Sequence, residues 1–147
     1  MKLFTIGFTR KTAKQFFELL FENHVDLLID VRINNKSQLA GFAKDPDLAF
    51  FLERICGIGY IHDTMFAPTE QLLKQYRARE ISWEQYESAF DIIMKERKIE
   101  QYIQKEYSYI QDQSVVLLCS EPTADHCHRR LVANRFSSVF HPEVIHL

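Results

Sequence analysis

The chain is 147 residues long, with 46% hydrophobic and 26% charged residues and a formal net charge of −2. That length and composition suit one globular domain, 1–147, with a sizeable core, and exclude a disordered chain. The near-neutral charge supplies no global basic field for nucleic acid or a membrane surface, so any anion site must be local.

The opening MKLFTIGF is too short an apolar run for a signal peptide, and no run reaches the length of a membrane span. The three cysteines are an odd number. Together these features predict a cytoplasmic protein with reduced thiols and no membrane association.

In chain order, Leu3 to Ile6 is a short apolar run stopped by Gly7, a buried strand and a sharp turn. Thr12 and Gln15 form a capping box that opens a helix to about Asn23, with Phe16, Leu19 and Leu20 inward. Val25 to Val31 is a second strand, nearly all apolar, as expected when both faces are covered. It ends at Asp30-Val31-Arg32. Residues 33–45 show no period and read as a long loop. Asp45 as N-cap and Pro46 at the first helical position then predict a helix with Leu48, Phe51, Leu52 and Ile55 inward, ended by Gly57 and Gly59.

Tyr60 to His62 is a short third strand, and residues 67–80 hold a short helix. Ser82 and Gln85 make a second capping box at the start of the longest helical region. Its stripe of Trp83, Tyr86, Phe90, Ile93 and Met94 reads as core, and the charged stretch Lys95 to Lys98 predicts a break. Val115 to Cys119 is a fourth strand, followed by a helix from His126 to about Phe140 that Pro142 cannot continue. Val144 to Leu147 is a final strand.

Strands that alternate with helices predict an α/β fold: a three-layer Rossmann-like sandwich around a mainly parallel sheet of about five strands, order 3-2-1-4-5. The order would reverse between the first and fourth strands, and ligands bind at such a reversal, outside the carboxyl ends of the strands. The loops after Gly7, Asp30 and Cys119 should therefore meet in one crevice.

The richest chemistry lies between Cys119 and Arg130. Thr123 or Asp125 as N-cap would place Cys127, His128 and Arg129 in the first turn of a helix, where free N–H groups and the dipole favour an anion and lower a thiol pKa. On this reading Cys127 is a nucleophile or polar anchor, and Glu121, His128 and His62 are candidate acids or bases. Arg32 and Arg129 grip an anion. Thr9, Arg10, Asp30 and Cys119 complete the ligand-binding set. Each has a plain structural alternative: Cys119 as a small buried hydrophobe, Glu121 and Asp30 as loop braces, Cys127 as packing. His24, His141 and His146 fall outside the constellation.

No cofactor and no metal is expected. Cys119, His126, Cys127 and His128 are ligand types, but successive residues on a helix diverge by about 100°, so they would not all face one ion. Neither GxGxxG nor a GKS/GKT phosphate loop is present, nor the Cys-x5-Arg loop of tyrosine phosphatases.

These residues resemble the domain-of-unknown-function 488 family of bacterial and archaeal α/β proteins. The resemblance rests on Thr5-Ile6-Gly7, Asp30-Val31-Arg32, Gly41-Phe42, Tyr60-x-His62 and the His146-Leu147 ending. Its most specific part is Cys119-x-Glu121, five residues, then Cys127-His128-Arg129. The chain departs from the family's usual His-Ser after Thr-Ile-Gly, with Phe8-Thr9, and from its Leu-Gly-Gly near residues 63–66. The resemblance implies a fold and a motif, with no settled activity. The residues favour an enzyme that binds an anionic or phosphorylated ligand, a nucleotide or a nucleic-acid end. The alternative is a non-catalytic nucleic-acid or protein-binding module in which Cys127, Glu121 and Arg129 only lock a loop.

Overall fold

The computed structural model describes residues 1–121 and 123–147. Among these residues five strands form one parallel sheet: β1 (Lys2–Gly7), β2 (Leu27–Asp30), β3 (Gly59–His62), β4 (Ser114–Cys119) and β5 (Glu143–His146). Among the described residues six α-helices accompany them: α1 (Ala13–Glu22), α2 (Asp47–Phe50), α3 (Glu70–Arg77), α4 (Trp83–Glu96), α5 (Ile99–Glu106) and α6 (His128–Phe140). The alternation of apolar side chains along β1, β2 and β4 sorts the core into two layers. Phe4, Ile6, Leu28, Val116 and Leu118 pack against α1 and the segment around α2. Leu3, Leu27, Ile29, Val115 and Leu117 pack against α3 to α6. This is the expected three-layer sandwich.

The strand order is 3-2-4-1-5, not the expected 3-2-1-4-5. The handedness rule for parallel crossovers fixes which face a connection covers, not how many strands it passes. The β1–α1–β2 crossover passes over one strand, and β4 fills that space between β2 and β1. The reversal of order therefore lies between β2 and β4, and it sets Asp30 opposite Leu118 in the ladder.

Both capping boxes form, at Thr12 with Gln15 and at Ser82 with Gln85. The break after α4 falls at Lys98, whose positive φ of 52° ends one helix and begins the next. The cap expected at Asp45 is not used. Pro46 holds the N-cap of α2 without a side-chain bond, and after Phe50 the backbone widens into a π turn, Phe51–Cys56. The extra residue per turn rotates Ile55 out of the apolar stripe, and it is exposed. The predicted loop at 33–45 contains a 3-10 segment, Gln38–Ala43. Its turns are too short to leave a periodic apolar pattern. Among the described residues no helix is long and apolar enough to cross a membrane.

Candidate functional site

β1, β2 and β4 end side by side, and the connections leaving β2 and β4 run to opposite sides of the sheet. A crevice of about 400 Å³ opens over their carboxyl ends. Phe8 and Thr9 line it from β1, Arg32 and Asn34 from β2, and residues 119–121 and 126–128 from β4. The three loops do meet, as the sequence predicts. They are tied to one another: Thr9 donates both its N–H (3.1 Å) and its hydroxyl to the Ser120 carbonyl, and the Val31 N–H donates to the Leu118 carbonyl at 3.1 Å.

The loop after β4 enters its helix later than expected. Neither Thr123 nor Asp125 is the N-cap. Cys127 holds that position in extended backbone (φ −138°, ψ 137°), and the helix begins at His128. The divergence of successive helical residues therefore does not separate Cys127 from His128. Both turn toward Cys119, and the two Sγ atoms and a His128 ring nitrogen lie within 4.8 Å of one another. His126 turns elsewhere and stacks on Trp83 (5.1 Å between centroids, 18° between planes).

Hydrogen bonds fix the state of the His128 ring. Its Nε2 lies 2.8 Å from the Val31 carbonyl, which only accepts, so Nε2 carries the proton. In the neutral ring the Nδ1 lone pair then faces Cys119 Sγ at 3.4 Å. The neighbouring Cys127 thiol lowers Cys119 from its ordinary value against its own burial, while the neighbouring Cys119 and burial push Cys127 up. The lowering expected for Cys127 at a helix start is thus reversed, because Cys127 sits outside the helix, buried beside Cys119.

Arg129 is fully buried behind this cluster. Its Nη1 donates to the Glu121 carbonyl at 2.6 Å and lies 3.6 Å from Cys127 Sγ. Among the described residues its Nε and Nη2 have no partner, and no carboxylate pairs with it. Arg129 does not reach the crevice; its charge acts on the thiols from behind. Glu121 meets Arg129 through its carbonyl, not its carboxylate, which stays exposed at the crevice wall.

Asp30 and Arg32 form a buried pair. Arg32 Nε and Nη2 donate to the two Asp30 oxygens at 2.8 and 2.6 Å, and the Tyr60 hydroxyl donates to Asp30 at 2.7 Å. Arg32 also donates to the Ala43 carbonyl at 2.7 Å, which ties the long loop to the sheet. The guanidinium lies 5.3 Å from the Phe8 ring centroid. Its donors are largely committed, which makes it a brace for the crevice floor more than a free anion grip. His62 is exposed and bonds the Arg32 carbonyl at 2.7 Å, outside the crevice. Arg10 lies in a separate shallow depression with Lys11 and Gln15.

Two features carry no motif in the sequence. One is the aromatic wall, where Tyr76, Trp83 and Tyr86 face the crevice beside Arg77. Their helical spacing signals core, and they are core on one side. Only their place at the carboxyl edge of the sheet gives them a second face. The other is Asp63, which accepts from the hydroxyls of Tyr102 (2.8 Å) and Tyr107 (2.5 Å) and caps the turn after β3.

The class these features define is a three-layer α/β protein with a Cys-Cys-His cluster at the carboxyl edge of its parallel sheet. Residues 12–136 match the family described as Domain of unknown function DUF488, and the chain belongs to it. The matched span includes Asp30 to Arg32 and Cys119 to Arg129 and leaves out β1 and β5. No curated protein and no solved structure matches the chain.

Proposed function

We propose that this protein is an enzyme acting on a small phosphorylated ligand of about mononucleotide size, bound in the crevice over β1, β2 and β4. The observation that carries the reading is the convergence of Cys119, Cys127 and His128 beneath an aromatic wall that ends in a cation. A cavity of about 400 Å³ falls in the usual range for small-molecule sites. Tyr76, Trp83 and Tyr86 offer flat apolar surface for a base or similar ring. Arg77 is exposed at the same wall and supplies the local positive charge that the whole chain lacks. The thiol and imidazole groups beneath are the reactive part, and Glu121 is the carboxylate among the described lining residues that could serve as acid or base.

The test is a binding survey of mononucleotides and sugar phosphates by calorimetry, on wild type, Arg77→Glu and Trp83→Leu. At least one ligand with both a ring and a phosphate should bind, and each variant should weaken it about 10-fold or more, which is about 1.4 kcal/mol. Binding that neither variant alters would overturn the reading, as would no binding at all.

A second reading, a non-catalytic nucleic-acid or protein-binding module, draws on the Arg129–Glu121 carbonyl bond, which locks the loop as a structural motif would. Oligonucleotide binding that falls steeply with salt and ignores substitution of Cys119, Cys127 and His128 would favour it.

A further inference from the structure

We propose that Cys119 Sγ, Cys127 Sγ and His128 Nδ1 form a zinc site with three protein ligands and a fourth position open to the crevice. The inference concerns the protein without its ligand and stands whether or not the ligand is phosphorylated.

Four observations carry it. The first is geometry. A tetrahedral zinc with bonds of about 2.3 Å to sulfur and about 2.0 Å to nitrogen sets its ligand atoms roughly 3.5 Å apart. Cys119 Sγ and His128 Nδ1 are already 3.4 Å apart, and all three ligand atoms fall within 4.8 Å. Modest side-chain rotation of Cys127 closes the set. Among the described residues this is the one group of three or more such side chains close enough to share an ion.

The second is the shell behind the ligands. A metal-bound histidine almost always donates its other ring N–H to a carbonyl or carboxylate, which fixes the tautomer and aims the ligating nitrogen. His128 does this with Val31. The contact spans 97 residues of sequence and depends on β2 lying beside β4. The third is backbone. Cys127 is extended and His128 helical, which aims both at Cys119 and leaves His126 on Trp83.

The fourth is chemistry and access. Two sulfurs and an imidazole suit a borderline-soft cation and not a hard one such as magnesium or calcium. Among the described residues the buried carboxylate beside the cluster is Asp30, and it is committed to Arg32 and Tyr60. Two thiolates neutralise the ion, and Arg129 behind them leaves the centre with a positive balance that favours an anionic fourth ligand. All three ligand residues line the crevice, so that fourth position faces it. A closed structural site would have four protein ligands, and a catalytic one keeps this position open.

The test uses the full chain, purified reduced and metal-free, and titrated with cobalt(II) as a spectroscopic stand-in for zinc. One equivalent should produce the intense visible bands of a tetrahedral ion and a thiolate-to-cobalt charge-transfer band, and zinc should displace it. Zinc should also protect Cys119 and Cys127, but not Cys56, from alkylation. Cys127→Ser and His128→Gln should each weaken zinc binding by about 100-fold or more, beyond the roughly 10–100-fold cost of losing an outer-shell partner. His126→Ala should leave it unchanged. Circular dichroism of each variant confirms the fold, and alkylation protection in wild type needs no variant. Octahedral cobalt spectra, binding abolished by His126→Ala, or ready closure of a Cys119–Cys127 disulfide with no metal uptake would each overturn the proposal. The last would assign the pair to thiol redox chemistry instead.

Discussion

His128 donates its Nε2–H to the Val31 carbonyl across 2.8 Å, and this bond joins the start of α6 to the end of β2. Val31 is held from its other side as well, since its N–H donates to the Leu118 carbonyl. One residue just past β2 therefore connects β4, which carries Cys119, to α6, which carries His128. The ring packs edge-on against Phe90 at 5.8 Å. Its position is set by the sheet, the helix and the aromatic core together.

This predicts a separation between two substitutions at one position. His128→Ala leaves the buried Val31 carbonyl without a donor and opens a void beside Phe90. An unsatisfied buried acceptor costs about 1–3 kcal/mol, and the lost packing adds to it. His128→Gln retains an N–H donor at similar reach and loses only the imidazole Nδ1. Denaturant melts should show the alanine variant markedly less stable than the glutamine variant. Equal losses would mean that the carbonyl bond contributes little.

Gly7 makes a second prediction. A Cβ at this position would run into the Glu121 carbonyl and touch the Arg129 guanidinium, so β1 and the loop after β4 approach as closely as they do only because the side chain is missing. Gly7→Ala displaces the carbonyl that Arg129 uses. Overpacking of this kind costs about 1–3 kcal/mol. Because the shift falls on the loop between Cys119 and Cys127, both thiols should also become faster to alkylate in the native protein. Unchanged alkylation rates would show that the loop absorbs the methyl without moving.

The sequence made the layers and the meeting of three loops legible, because apolar periodicity and capping boxes are local signals. Thr12, Ser82 and the Lys98 break fall where local chemistry places them. Strand adjacency was not legible. Handedness constrains a crossover without counting the strands it passes, and so β4 was expected beside β1 on the wrong side. The N-cap of α6 was misplaced for a related reason. Thr123 and Asp125 are good caps by type, but the Thr9–Ser120 and Arg129–Glu121 bonds hold the loop so that helix entry waits for Cys127. That delay, two residues from Asp125 and four from Thr123, turns both Cys127 and His128 toward Cys119. The same lesson applies to Arg32 and Arg129, whose residue type signals an anion grip. Only packing reveals that one is committed to Asp30 and the other is sealed behind the thiols.

The Asp30–Arg32 pair gives a prediction with a larger magnitude. Both side chains are almost wholly shielded from water, with Asp30 at 0% and Arg32 at 4% exposure. Removing one member of a buried pair costs about 3–5 kcal/mol, because the other charge stays buried without a counterion. Asp30→Asn should therefore destabilise strongly and loosen the loop that Arg32 ties through the Ala43 carbonyl. Arg32→Met alone strands the carboxylate. The double variant, with neither charge, should recover part of the stability. A double-mutant cycle by chemical denaturation measures the coupling, and simple additivity would show that the pair is not energetically linked.

On the far side of the same helical layer, Arg135 lies between Asp91 on α4 and Glu100 on α5 and pairs with both. Bonds from Lys95 and the nearby Arg135 charge hold Asp91 below its ordinary value of 3.8. At Glu100 burial is the largest single influence and pushes the other way, but the Arg135 bond, a backbone N–H bond and the Arg135 charge together hold the carboxyl below 4.5. Carboxylates whose folded pKa is depressed bind fewer protons folded than unfolded as pH falls through that range. Their contribution is fully present above about pH 4.5 and is lost progressively on acidification below it. Both side chains are partly exposed, at 43% and 39%, so solvent and salt keep the effect small. Melting temperature followed from neutral pH to acid should decline less steeply below that point in Arg135→Leu than in wild type, and added salt should narrow the gap. Parallel acid limbs for the two proteins would mean that the α4–α5–α6 contact is held by its apolar face alone.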